Sequence, residues 1–215
     1  VYDQALTDQE ITGLYQSGPY GIEENSVTGT LITTLSATDQ DANNTNTYSL
    51  IDGAGDLGRD NTSVTVSGTQ ILINGAIDYE ITPYLLINVQ VNDGANTLTS
   101  SFTLSVVDVN DNAPTVMALS TTTLGEDLVS GSTIASLTSV DADTSSLNNF
   151  SYSLINGDGS NDSSNNRFMI SGNSLLSSGT FDYETGSSHN IYVQVNDGAN
   201  TYNKAFTLTI INQND

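Results

Sequence analysis

The sequence predicts an all-β protein built as two tandem seven-stranded Greek-key β-sandwiches in head-to-tail arrangement. Three observations predict it. First, apolar residues alternate with polar ones in Leu85, Ile87, Val89 and Val91 and again in Phe102, Leu104 and Val106, the period-two spacing that turns one face of a strand toward a core. Second, clusters of Gly, Asn, Asp and Ser break these runs about every ten residues, and no stretch sustains a helical period. Third, the chain repeats itself. VQVNDGANT stands at 89–97 and at 193–201, IDYE at 77–80 answers FDYE at 181–184, and YSLI at 48–51 answers YSLI at 152–155, each with an offset of 104 residues. Such self-similarity marks a tandem of two like units.

Taken in order, residues 1–18 have no counterpart and read as a leader or linker, 19–112 as the first repeat and 113–215 as the second, which Pro114 opens. In the first repeat the strands fall at about 30–37, Tyr48–Ile51, Val64–Val66, Ile71–Ile73, then along the two alternating runs. The second copies of those runs are Ile191, Val193, Val195 and Phe206, Leu208, Ile210. About seven short strands per hundred residues suit a two-sheet sandwich of immunoglobulin-like type. The absence of Cys and Trp excludes the antibody-type core.

Composition removes several functions. The chain has 215 residues, 25 Asp plus Glu against 3 Lys plus Arg, and a formal net charge of −22. Binding of nucleic acid or an anionic membrane needs clustered basic residues, and only Arg59, Arg167 and Lys204 exist. No apolar run approaches the roughly 20 residues of a membrane span, and no signal peptide opens the sequence. Zero cysteine excludes a disulfide scaffold, a thiolate metal site and a cysteine nucleophile.

The acids then need a reason. VVDVNDNAP at 106–114 crowds Asp108, Asn110, Asp111 and Asn112 with no basic residue beside them. If the chain reverses at each turn, every loop lies at one of two poles of its sandwich. Strand parity sends Glu24, Asp78, Glu80, Asp108 and Asp111 to one pole of the first repeat, and Asp39, Asp41 and Asp93 to the other. Head-to-tail stacking would bring the first set against Asp141, Asp143 and Asp197 of the second repeat. Two carboxylates about 5 Å apart repel by roughly 3 kcal/mol at an effective dielectric near 20, so such a gathering requires a cation. All-oxygen ligation is the preference of calcium, whereas magnesium demands a stricter octahedron and keeps its waters.

These residues carry a resemblance. Asp108-Val109-Asn110-Asp111-Asn112-Ala113-Pro114 resembles the inter-repeat DxNDNxP linker of cadherins. Ile22-x-Glu24-Asn25, Asp39-x-Asp41, Asp78-Tyr79-Glu80 and Asp93 in VNDG resemble the family's other marks, in order. The likeness covers nearly all of 19–215, twice. It implies seven-stranded repeats joined by about three calcium ions. It implies as ligands Glu24, Asp78, Glu80, Asp108, Asn110 and Asp111, Val109 and Asn112 through their carbonyls, and Asp141, Asp143 and Asp197, with a carbonyl near Asn148 or Asn149 as a lesser candidate. Asp39, Asp41 and Asp93 would wait for a preceding repeat. Glu126, Asp182, Glu184 and Asp215 form half a site, since Asn212-Gln213-Asn214-Asp215 puts Asn212 where Asp108 stands in the first copy. The lack of Trp argues against strand exchange through an anchoring tryptophan. The Asn, Ser and Thr richness resembles bacterial cadherin-like surface proteins.

The same residues admit other readings. NDG at 92–94 and 196–198 is a hairpin-turn signal in its own right. Asp39-x-Asp41-x-Asn43 fails as an EF-hand, because the sixth position is Asn44 and the twelfth Leu50. DGAGD at 52–56 and NGDGSND at 156–162 read as ordinary loops. Enzymatic activity is not expected: the paired acids repeat like a module's ligand set, and the single His189 reads as a surface residue near a strand start. The expected function is a calcium-rigidified extracellular or cell-surface adhesion or stalk segment, whose partners are other cadherin-like repeats or a cell-surface ligand. The alternative is a calcium-dependent carbohydrate-binding module, with polysaccharide stacked on tyrosines such as Tyr20, Tyr84, Tyr192 or Tyr202.

Overall fold

Valine, isoleucine, threonine and the aromatics favour pleated, half-buried backbone, and the strands lie where the sequence is richest in them. The computed structural model describes residues 21–37, 45–144, 147 and 149–213. The leader, Asp39, Asp41 and Asp215 therefore lie outside the described residues. The chain divides into two compact units between Val109 and Asn110, inside the acidic linker.

In the first unit the described strands are β1 (Ile22–Glu23), β2 (Leu31–Thr34), β3 (Thr47–Leu50), β4 (Val64–Ser67), β5 (Gln70–Ile73), β6 (Tyr84–Asn92) and β7 (Thr97–Val107). They form two sheets, in the orders β1-β7-β6-β3 and β2-β5-β4. β1 runs parallel to β7; the other pairings are antiparallel. The β6–β7 hairpin turns at Asn92-Asp93-Gly94, where Gly94 takes φ +100°, a conformation that glycine alone adopts without strain. Inward residues of β6 and β5, namely Leu85, Ile87, Val89, Val91, Ile71 and Ile73, meet Phe102 and Val106 of β7 in one core.

The second unit repeats the plan with β8 (Val116–Leu119), β9 (Thr123–Gly125), β10 (Thr133–Val140), β11 (Ser151–Leu154), β12 (Phe168–Ser171), β13 (Ser174–Ser177), β14 (Ser188–Asn196) and β15 (Thr201–Ile211). Its sheets are ordered β12-β13-β10-β8 and β11-β14-β15-β9. Eight strands are described rather than seven because the first strand changes sheets. β8 pairs with β10, and after Ser120–Thr122 the chain joins the other sheet as β9, parallel to β15. β1 is the copy of β9; the copy of β8 would fall among residues outside the described set. Met117, Leu137, Leu175, Ile191, Val193, Val195, Leu208 and Ile210 form the core.

Two positions depart from the simple alternation. His189 is not a surface residue: at 9% exposure it is buried against Phe168 and Phe181. The reason is parity, since 189 precedes Ile191, Val193 and Val195 on the inward face of β14 and copies Leu85 of the first unit. Asn88 lies between the fully buried Ile87 and Val89 and is itself 2% exposed. There the outward face of β6 is covered by a short 3-10 turn at Asn61–Ser63. Asn61 pins that turn, donating to the Ile51 carbonyl at 2.9 Å and accepting from the Asn88 amide at 3.0 Å. Asn165 makes the same clamp in the second unit, to the Ile155 carbonyl and the Tyr192 amide.

Candidate metal centre

Glu24 follows β1 directly, so the parallel pairing with β7 sets its side chain beside the chain leaving β7. Glu24 as a residue is 3% exposed. Oε2 accepts from the Tyr79 amide and Oε1 from the Val109 amide, each at 2.7 Å. One buried acid thus ties the Asp78-Tyr79-Glu80 turn and the start of the linker to the end of the first unit. Asp78 and Glu80 remain exposed, and the three acids offer oxygens within 4.8 Å of one another. Asp78 Oδ1 also accepts from the Ile81 amide at 3.0 Å, which fixes the turn. Strand parity therefore places Glu24, Asp78 and Glu80 together, as the sequence requires.

In the second unit Glu126, Asp182 and Glu184 repeat this arrangement, again with oxygens within 4.8 Å. Glu126 accepts from the Tyr183 amide at 2.9 Å and from the Gln213 amide. The Asn212 amide nitrogen donates to Glu184 Oε1 at 3.0 Å, so the residue that replaces Asp108 in this copy brings a donor to the carboxylates.

The other pole of the second unit gathers Asn110 and Asn112 of the linker with Asp141, Asp143 and Asp197. β10 ends at Val140, which delivers Asp141 and Asp143; the β14–β15 hairpin delivers Asp197. Asp143 is 3% exposed and Asp197 1%. The Asn110 side-chain amide donates to the Asp197 carbonyl at 3.2 Å and to the Leu147 carbonyl at 3.5 Å. Asn112 donates to Asp143 Oδ1 from its side chain at 2.8 Å and from its backbone at 3.3 Å. Its carbonyl accepts from the Asn200 side chain at 2.9 Å. Asp111 is exposed and accepts from the Asn112 side chain at 2.9 Å. The roles of Asn200 and of the Asn112 side chain were missed in the sequence, although Asn200 belongs to the repeated VQVNDGANT.

The hairpin reading of NDG accounts for half of Asp197. Oδ1 accepts from the amides of Ala199 and Asn200, both at 2.7 Å, as an Asx turn requires. Oδ2 is buried and receives no hydrogen bond, and the same is true of Asp141 Oδ2 and Asn110 Oδ1. An oxygen taken from water without a donor costs about 1–3 kcal/mol, more when charged. Burial pushes the Asp141 carboxyl above its ordinary range, and the carboxylates of Asp143 and Asp197 push it further; the Asp143 and Ala142 amides oppose both. No basic side chain relieves the group. Arg59 pairs with Asp60, Arg167 bonds the Thr180 carbonyl, and Lys204 bonds the Met117 carbonyl. Oxygen donors alone, three of them buried and unsatisfied, fit a hard divalent cation, and a flexible carboxylate and carbonyl set fits calcium better than magnesium. In the first unit Asp93 is buried at 7% exposure and makes the same turn, to Ala95 and Asn96.

The tyrosines fit a sugar platform poorly. Arg59 covers one face of Tyr84, 4.9 Å from the ring centre. Tyr192 and Tyr202 are half-buried in strands, and Tyr20 lies outside the described residues. Tyr48, Tyr79 and Tyr152 pack on the cores, as their repetition suggests, while Tyr183 is 37% exposed.

No family model matches the chain, and no curated protein matches it. Solved structures do. The protocadherin GammaB4 extracellular domain aligns with a TM-score of 0.65 at 25% identity, covering 91% of this chain and 32% of that one. Protocadherin Gamma B2 extracellular cadherin domains 1–5 align with a TM-score of 0.65 at 20% identity, covering 94% and 40%. Human protocadherin-24 EC1-2 gives a TM-score of 0.65 at 22% identity, covering 90% of this chain and 93% of that one. The chain thus spans about a third of the first of these and nearly the whole of the two-repeat fragment.

Proposed function

Starting from a chain whose two units have the fold of cadherin repeats, we propose that it is a calcium-binding adhesion or stalk segment working outside the cell. The observation that carries the reading is the set of buried, donorless oxygens on Asn110, Asp141 and Asp197. Such atoms are costly in a folded protein unless something electropositive meets them.

The ligands on this reading are Glu24, Asp78, Glu80, Asp108, Asn110, Asp111, Asp141, Asp143 and Asp197, with the carbonyls of Val109 and Asn112. Calcium supplies charge neutralisation and a coordination shell that both repeats complete. The protein's own residues prepare for it. Glu24 holds the linker start through the Val109 amide, and the Asn110 side chain holds its continuation through the Asp197 carbonyl. The peptide bond between residues 109 and 110 therefore joins two anchored segments. A ligand set drawn from both sides turns that covalent link into a stiff one, and the energy of binding appears as stability and rigidity.

Extracellular modules bind calcium at about 10⁻⁴–10⁻³ M, a range filled outside the cell and not in resting cytosol. The partners on this reading are other cadherin-like repeats or a ligand on a facing cell surface. The pole at Glu126, Asp182 and Glu184 binds calcium more weakly, because Asn212 brings an amide donor to Glu184 where the first copy has Asp108. Small-angle scattering of the chain in calcium and in EDTA tests the mechanical reading. A longer, stiffer particle in calcium supports it, and identical profiles refute it.

A further inference from the structure

The chain's one histidine occupies a place where the first unit holds a leucine. His189 lies on the inward face of β14, 9% exposed. Its ring centre is 5.4 Å from that of Phe181 and 6.2 Å from that of Phe168, and those two phenyl rings are 5.3 Å apart. In the first unit the corresponding positions are Leu85, Ile77 and Val64, all aliphatic and buried. The aromatic and imidazole cluster is therefore particular to the second unit.

Only one ring nitrogen has a partner. Nδ1 is 3.2 Å from the Ser164 hydroxyl, whereas Nε2 is buried without a hydrogen bond. A neutral ring tolerates this, because only one weakly polar atom is left without a partner. A protonated ring carries an N–H on both nitrogens and a full charge into an apolar site, which is far more costly.

The surroundings offer the cation no relief. From the 3-10 turn at Asn165–Arg167 comes Arg167, a like charge held nearby by its bond to the Thr180 carbonyl at 3.1 Å. β12 brings Phe168, and β15 brings Leu208 opposite. The loop before the turn brings Ser164, while Asp162 in that loop accepts from the amides of Gly157 and Gly159. The segment before β14 brings Phe181. Of the acids that follow it, Asp182 accepts from the amides of Glu184 and Thr185, and Glu184 from Asn212. Burial first, and the Arg167 charge second, hold the imidazole below its ordinary value of 6.5.

We infer that His189 makes the second unit an acid-sensitive element: a proton taken up by the buried imidazole loosens the Phe168–Phe181–His189 packing of that unit, and the first unit, with Leu85 in its place, is spared. The sign follows from linkage. A histidine depressed in the folded state binds its proton better when unfolded, so the stability it permits is complete above 6.5 and is lost as the pH falls below that value toward the folded one. In a tandem chain this gives one repeat a response to acidification that its neighbour lacks, whether or not the acidic poles hold metal.

Two measurements on the full chain in EDTA test it. As the single histidine, His189 gives one unambiguous imidazole C2 proton resonance. In the folded chain its titration midpoint should lie below 6.5, and titration at or above 6.5 overturns the inference. Amide hydrogen exchange, corrected for intrinsic rates, gives the opening constant of each unit as pH is lowered. The second unit of the wild type should open more readily by up to about tenfold per pH unit below 6.5, relative to His189→Leu. His189→Phe should behave like His189→Leu, and the first unit should respond alike in all three proteins. An equal acid response of the second unit in wild type and both variants refutes the assignment.

Discussion

Glu24→Gln separates the structural work of this residue from any metal. The substitution keeps the shape but converts one carboxylate oxygen into an N–H donor. Both oxygens now accept from backbone amides, Tyr79 and Val109, at 2.7 Å, so one amide must lose its acceptor and confront another donor. A hydrogen bond to a charged group contributes about 1.5–3 kcal/mol. Against this, neutralising Glu24 relieves its repulsion from Asp78 and Glu80, whose oxygens lie within 4.8 Å. Asp78 and Glu80 are exposed, so water screens each repulsion to about 1 kcal/mol, and the two pairs together offset about 2 kcal/mol. Both charge-assisted bonds are affected, one lost and the other reduced to a neutral bond, so the hydrogen-bond loss wins by about 1–2 kcal/mol. For a unit of this size that lowers the melting temperature by roughly 5–15 °C. Calorimetry in EDTA, with hydrogen exchange to assign transitions, should show the loss in the first unit only. A shift in both units alike, or in neither, refutes the reasoning.

Three further outcomes follow from the same geometry. In EDTA at neutral pH, Asp141→Asn should stabilise the second unit: a carboxyl raised above 3.8 in the folded state favours folding in acid and opposes it once ionised. In calcium the same variant should lose metal-dependent stabilisation, and paired melting curves read both signs. Gly94→Ala should cost the first unit about 1–3 kcal/mol from backbone strain alone, since φ is +100° and nothing lies within 4 Å of the added carbon; chemical denaturation measures it. Ile73→Ala and Leu175→Ala, at fully buried positions, should each cost about 2–5 kcal/mol, confined to the unit that carries them.

Much of the fold is legible because period-two alternation and repetition are local and redundant. The inward set on β6 and β14 can be read directly from Leu85 to Val91 and from Ile191 to Val195. The clustering of Glu24, Asp78 and Glu80 is legible through strand parity, which needs only a count of reversals. Other features are not local. Asn88 is buried because a distant turn covers its face, and the Asn61 clamp that holds the turn spans 27 residues to the Asn88 amide; no periodicity records such a contact. The strand exchange between β8 and β9 depends on two pairings at once. His189 is legible from the repeat alignment, which puts it on Leu85, although its polarity points to the surface. Asn200 sits in a repeated motif, yet its bond to the Asn112 carbonyl crosses 88 residues.

The most direct test of the central claim is the melting temperature of the chain in about 10 mM calcium, in magnesium and in EDTA, for the wild type and for Asp141→Asn/Asp197→Asn. With dissociation constants of about 10⁻⁴–10⁻³ M, each site should add about 1.4–2.7 kcal/mol in calcium, raising the wild-type melting temperature by roughly 5–20 °C. Magnesium should do much less, and the double variant should lose most of the gain. Equal melting temperatures in calcium and EDTA, or a full calcium response in the double variant, would contradict the account.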